Sequence, residues 1–142
     1  LYTQASYNGD DFSDRVTIIY GHNMTDGSMF GMLEDTYSNS EDFKKYSDIT
    51  VYLPKEEKHY RVVAAVPYSN LHIMEQFGRF EIDEDVLNFE KFISDSKETE
   101  AVYNRQWEPN RKDKLLILAT CQKNNYNRRY IIVAKLIDDG NF

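Results

Sequence analysis

LLILATCQKNNYNRRYIIVAKL, residues 115–136, carries the only cysteine of the chain, with an apolar run on each side of a polar segment, QKNNYNRR. The flanking runs are aliphatic and β-branched and too short for ordinary helices. They read as strands over 114–120 and 130–137 joined by the polar segment. Cys121 then closes one strand, and Arg128 and Arg129 open the next. A thiol at the end of an apolar run is most often a small buried hydrophobe, and that is the reading this stretch favours by itself.

Outward from it, the same short-strand pattern recurs. VTIIY, 16–20, is a continuous β-branched and aromatic run that ends at Gly21 and delivers His22 to the strand's rim. DITVYL, 48–53, the turn-rich PKEEK and YRVVAAV, 60–66, read as an antiparallel hairpin. Between 25 and 46, Phe30, Leu33 and Tyr37 stand at helix-like spacing among turn residues, and Ser40 before Glu41 and Asp42 reads as a second short helix start. Residues 83–96, DEDVLNFEKFISDS, set Val86, Leu87, Phe89, Phe92 and Ile93 behind an acidic first turn, the form of an amphipathic helix. Strands dominate and do not alternate with helices. The expected architecture is therefore mainly β, a closed or partly closed barrel with inserted short helices and one longer helix near 83–96.

At 142 residues the chain has the size of one domain. A content of 41% hydrophobic and 29% charged residues is that of a soluble globular protein, and no apolar run approaches the ~20 residues of a membrane helix. The net charge of -7 argues against a surface built to follow phosphate backbones, so nucleic acid is not an expected partner. One cysteine cannot form an internal disulfide, which leaves the redox compartment open.

Three residues able to support cysteine chemistry stand at strand ends: His22, Cys121 and Arg129. A thiol reacts as its thiolate, and a nearby positive charge or base favours that form. Arginine stays protonated and can also hold a substrate carbonyl or the oxyanion formed when sulfur attacks it. Taken singly, each has a plainer explanation: a packed thiol, a hydrogen-bonded histidine after a turn, a solvated strand edge. A papain-like protease places its cysteine before its histidine, the reverse of the order here. A zinc site needs about four ligands at short spacing, which His22, His59, His72 and Cys121 do not have, so no metal or other cofactor is expected.

Together the motifs resemble one family. IIYGHNM at 18–24, LATC at 118–121 and RYIIVAKL at 129–136 are similar to the histidine, cysteine and arginine motifs of the sortases, the cysteine transpeptidases of Gram-positive cell surfaces. Their order and spacing agree, with the cysteine about a hundred residues after the histidine and the arginine eight after the cysteine. The helical segment 83–96, between YRVVAAV and the cysteine strand, resembles the long helix that class B sortases insert there.

The resemblance implies a closed β-barrel of about eight strands, with the opening strands in residues 1–15 or cut short. Residues 1–142 are expected to form a single catalytic domain without the N-terminal helices and membrane anchor of class B members. It implies Cys121 as nucleophile, His22 as acid and base, and Arg129 on the substrate carbonyl, with Arg128 as the fallback because adjacent strand residues point to opposite faces. Asn23, Leu118 and Thr120 are candidate substrate contacts, and barrel packing is an equal explanation for Leu118. The loop and helix from about 68 to 104 would form one wall of the groove.

The expected partners are the sorting-motif peptide of a secreted protein and a peptidoglycan precursor amine, met at the outer face of a Gram-positive membrane by an anchored full-length enzyme. The family commonly has threonine or serine where this chain has Ala119, so one hydroxyl near the nucleophile is missing. The non-enzymatic alternative is a sortase-like barrel that binds peptides without cleaving them.

Overall fold

The computed structural model describes residues 2–3, 12–21, 30–98, 100–122 and 125–138. Among these are strands β1 (Tyr2–Thr3), β2 (Val16–Tyr20), β3 (Asp48–Tyr52), β4 (Glu57–Tyr68), β5 (Val102–Tyr103), β6 (Leu115–Gln122) and β7 (Asn125–Asp138). The helices are α1 (Leu33–Tyr37), α2 (Ser40–Lys45), α3 (Ile73–Gln76) and α4 (Asp83–Ser94).

One sheet holds all seven strands in the order β1-β2-β6-β7-β4-β3, with β5 on β4. The mainly β expectation holds. The expected closure is not made by hydrogen bonds among the described residues, where no ladder joins β1 to β3. Those end strands are short, two and five residues. The 48–53 and 60–66 hairpin forms as β3 and β4, and the opening stretch forms β6 and β7, each pair antiparallel. Among the described residues only β2 and β6 pair in parallel, Val16 with Leu115 through Tyr20 with Ala119.

Both faces of the sheet are covered, which is why these strands are continuous apolar runs rather than alternating ones. On one face Ile18, Val66, Ile117 and Val133 pack against Val86, Phe89 and Ile93 of α4. On the other, Leu116, Ile132 and Tyr130 pack against Tyr37 of α1 and Phe43 of α2. A bulge in β4 between Val62 and Ala64 makes Val63 the extra residue. Val63 and Ala64 therefore share the α4 face, while Val62 and Ala65 share the other.

The second short helix begins at Ser40 as expected, but its cap is Asn39, whose Oδ1 accepts from the N–H of Glu41 (2.9 Å) and Asp42 (3.3 Å). Helix α4 runs to Ser94, two residues short of the expected end. The Tyr103 hydroxyl donates to the carbonyl of Ile93 (2.9 Å), which also accepts from the Ser96 N–H (3.0 Å), and approaches the carbonyl of Ser96 (3.3 Å). At the other end Asp83 receives Arg15 (2.9 Å) and Lys112 (2.6 Å). In its middle the buried Glu90 accepts from the Asn110 N–H (2.9 Å) and Trp107 Nε1 (3.3 Å). Three points thus fasten α4 to its surroundings.

Between α3 and α4 the backbone turns through positive φ at Gly78 (62°), Arg79 (59°) and Phe80 (52°). Left-handed conformations at the two non-glycine positions cost roughly 1–2 kcal/mol each. Burial of Phe80, edge-on to Phe89 at 5.7 Å, offsets this by about 1.5–3 kcal/mol. At Gly78 a Cβ would stand 2.8 Å from Asp85 Oδ2, the carboxylate that reaches back to the Ile82 N–H (3.3 Å). Gly78→Ala is therefore expected to destabilise the fold by about 2 kcal/mol, from left-handed strain plus the disturbed helix start. A urea midpoint equal to that of the parent would refute this.

Candidate active site

The β6–β7 ladder sets Cys121 directly opposite Arg129. Strand alternation puts Ile117, Ala119 and Cys121 on the α4 face of β6, and Arg129, Ile131 and Val133 on the same face of β7. Arg129 Nη1 donates to Cys121 Sγ at 3.1 Å, and both side chains are half-buried. The thiol is thus not sealed in the core. It stands at the strand's end, where the packed apolar residues give way to a cation.

Arg128, one residue earlier, points away and forms a two-pronged pair with Glu98, Nη2 to Oε1 at 2.6 Å and Nη1 to Oε2 at 3.2 Å. These hydrogen bonds and the guanidinium charge hold the Glu98 carboxyl below the usual carboxylate range. The two adjacent arginines therefore have separate partners.

His22 and Asn23 lie outside the described residues. The parallel β2–β6 pairing carries Gly21, the residue before His22, to β6, where its N–H donates to the Ala119 carbonyl at 3.0 Å. Ala119 is two residues from Cys121. The chain segment leading to His22 and the end of the cysteine strand thus share one rim of the sheet.

Leu118 and Thr120 face the other way. Leu118 packs with the α1 and α2 cluster, and Thr120 is buried at 3% exposure. Thr120 is cross-strand from Tyr130, and neither hydroxyl has a hydrogen-bond partner among the described residues. Burial raises the Tyr130 hydroxyl well above its ordinary value, with smaller contributions from Glu34, Glu100 and Tyr37. That face has the character of packing.

A cavity of about 110 Å³ opens beside Arg129, bounded by Tyr20, Ala119, Asn70, Leu71 and His72. Ala119 lies on its wall. The residues from the 70–72 segment carry no periodicity or spacing that marks them in the sequence; the end of β4 brings them to the site. A larger groove of about 560 Å³ runs between the end of β4 and the end of α4, with Tyr68, Phe92, Glu98 and Arg128 on its walls. The 68–104 stretch supplies most of its lining.

The family model described as "Sortase domain" matches residues 7–137. Sortase B of Listeria monocytogenes is 29% identical over 137 residues, covering 92% of this chain and 51% of the relative. Sortase B of Staphylococcus aureus is 28% identical over 123 residues, covering 85% and 48%. The chain spans about half the length of the curated relatives it matches. Among solved structures, Clostridium perfringens sortase B superposes with a TM-score of 0.74 at 22% identity, over 96% of this chain and 72% of that one. Sortase B from the type II pilus of Streptococcus pneumoniae superposes with a TM-score of 0.74 at 26% identity, over 96% and 74%. At 22% identity the Clostridium likeness bears on the fold alone.

Proposed function

The chain belongs to the sortase family and is class B-like, and from that premise we propose that it is a cysteine transpeptidase using Cys121, His22 and Arg129. The observation that carries this reading is the 3.1 Å contact between Arg129 Nη1 and Cys121 Sγ at the end of two paired strands.

In the first half-reaction the Cys121 thiolate attacks the backbone carbonyl carbon of a sorting motif, forming a C–S bond and a tetrahedral oxyanion. The guanidinium of Arg129 donates to that oxygen, where charge develops. Collapse breaks the C–N bond as the His22 imidazolium gives its proton to the departing amine, leaving a thioacyl enzyme. In the second half-reaction an amine attacks the thioester while His22, now neutral, takes its proton. The new amide forms and the sulfur leaves as thiolate. Water in place of the amine gives hydrolysis.

The acyl donor in this reading is the C-terminal sorting motif of a secreted protein, and the acceptor is an amine of a peptidoglycan precursor. The reaction belongs to the outer face of a Gram-positive membrane. No helix among the described residues is long and apolar enough to cross a bilayer; attachment there is part of the proposal.

The test is a fluorogenic sorting-motif peptide incubated with the parent and with Cys121→Ala, with and without an added amine. The expected result is cleavage by the parent only, an amine-dependent ligation product, and labelling of Cys121 by a thiol reagent that peptide slows. Cleavage no faster than by Cys121→Ala, with no labelling at Cys121, would leave a peptide-binding barrel without catalysis.

A further inference from the structure

We propose that Arg128 and Glu98 form a latch that seats the 95–98 segment on the tip of the β6–β7 pair and thereby sets the end of the groove that holds the acyl-donor peptide. The inference rests on the peptide-cleaving function proposed above and adds positioning residues to it.

The pair joins two parts of the chain thirty residues apart, the segment leaving α4 and the first half of β7. Its geometry is the two-pronged one that only arginine offers a carboxylate, and it fixes orientation as well as distance. Arg128 and Glu98 line the groove together with Tyr68 and Phe92, and Tyr68 is the β4 partner of Arg129 in register. A second tether lies close by, Gln122 Nε2 to Glu100 Oε2 at 3.4 Å, from the residue after Cys121. Glu98 and Glu100 are thus held to β7 and β6, the two strands that carry the Cys121–Arg129 pair.

The latch can act because the two sides differ in rigidity. Helix α4 is anchored by Asp83, Glu90 and the Tyr103 hydroxyl. The segment after it is held from outside by the Tyr103 hydroxyl at the Ser96 carbonyl (3.3 Å) and by the Arg128–Glu98 pair, whose side chains are 33% and 36% exposed. A pair that wet is weak enough to open and is screened by salt. Opening it frees the groove's end wall while leaving α4 and the ladder in place. Arg128 and Glu98 are therefore positioning residues: one face of β7 presents Arg129 to the sulfur, and the other presents Arg128 to the wall.

The test is a cycle of Glu98→Gln, Arg128→Gln, both together, and the reversed pair Glu98→Arg with Arg128→Glu. Each is assayed for kcat and KM with the sorting-motif peptide, and for amide hydrogen exchange at 95–98. Each single change is expected to raise KM roughly three- to ten-fold with kcat within about two-fold, and to speed exchange at 95–98. The double change is expected to add little, and the reversed pair to recover at least part of both effects. Added salt should raise the parent's KM and leave that of Glu98→Gln nearly flat.

Unchanged KM in both single variants, or additive losses that the reversed pair does not recover, overturns the latch. Loss of turnover in the parent would fail the transpeptidase reading instead. In that case the exchange measurement still decides whether the pair holds the segment, with unchanged exchange in the single variants counting against it.

Discussion

Arg129→Ala is expected to lower kcat/KM for peptide cleavage by roughly 10²–10³-fold, with most of the loss in kcat. The guanidinium stands 3.1 Å from the sulfur that the proposal makes the nucleophile, on the same strand face and in direct register. A carbonyl attacked by that sulfur has its oxygen within reach of the same group, so removing it withdraws a donor from the transition state while substrate contacts along the groove remain. Arg129→Lys keeps a positive charge but not the planar fork, and an intermediate loss of about ten-fold or more is expected.

The comparison that gives this its force is Arg128→Gln, expected to act on KM alone because Arg128 is turned to Glu98. If Arg129→Ala stayed within ten-fold of the parent while Arg128→Gln fell a hundred-fold, the roles of the two arginines would be reversed. Thermal melts of both variants, close to the parent's, would separate lost chemistry from lost fold.

The second large effect concerns stability and pH. Glu90 is fully buried, and burial first, then a hydrogen bond with Asp113, pushes its carboxyl from the ordinary 4.5 up to about 8. Hydrogen bonds from Asn110 and Trp107 favour the charged form but do not overcome burial. Asp113 in turn faces Lys135 at 3.5 Å.

The folded protein therefore keeps the Glu90 proton across a range in which the unfolded chain has released it. Where the unfolded state binds fewer protons than the folded state, stability falls as pH rises. This contribution is whole below about pH 4.5, declines through neutrality and is lost above about pH 8. The drop from pH 5 to pH 8.5 is expected to be on the order of a few kcal/mol.

Glu90→Gln imitates the protonated form. Its carbonyl can accept from Asn110 and its amide can donate to Asp113, so the variant should match the parent near pH 5 and exceed it at pH 8.5. Urea unfolding of both proteins at the two pH values measures this. Equal slopes with pH in parent and variant would show that Glu90 is not the group responsible. Glu90 ties α4 to Trp107 and Asn110, in the stretch that leads into β6.

Element identity followed from local chemistry. VTIIY, YRVVAAV, LLILAT and YIIVAK are β-branched and aliphatic runs bounded by polar or turn residues, and each is a strand. The spacing of Val86, Phe89 and Ile93 behind three acidic residues makes α4, and these side chains with Glu90 are its buried face, while Phe92 is exposed. Helix α3, of four residues, is too short to show a period, and β5, of two, has no pattern to read. The His–Cys–Arg motif order was likewise readable, because it lies in residue identity and spacing along the chain.

What tertiary structure alone decided is which of these residues meet. Alternation says only that Arg128 and Arg129 point opposite ways; which of them faces Cys121 depends on the β6–β7 register, since a slip of one residue would exchange them. The same register turns Thr120 and Leu118 into the packed face, although they are neighbours of Cys121 in sequence. The parallel pairing of β2 with β6 brings Gly21 to Ala119 across almost a hundred residues, and no local signal encodes it. That contact arises because two-sided apolar strands can bury both faces only inside one continuous sheet, and closing so long a loop is repaid there by burial and hydrogen bonds rather than by anything near in the chain.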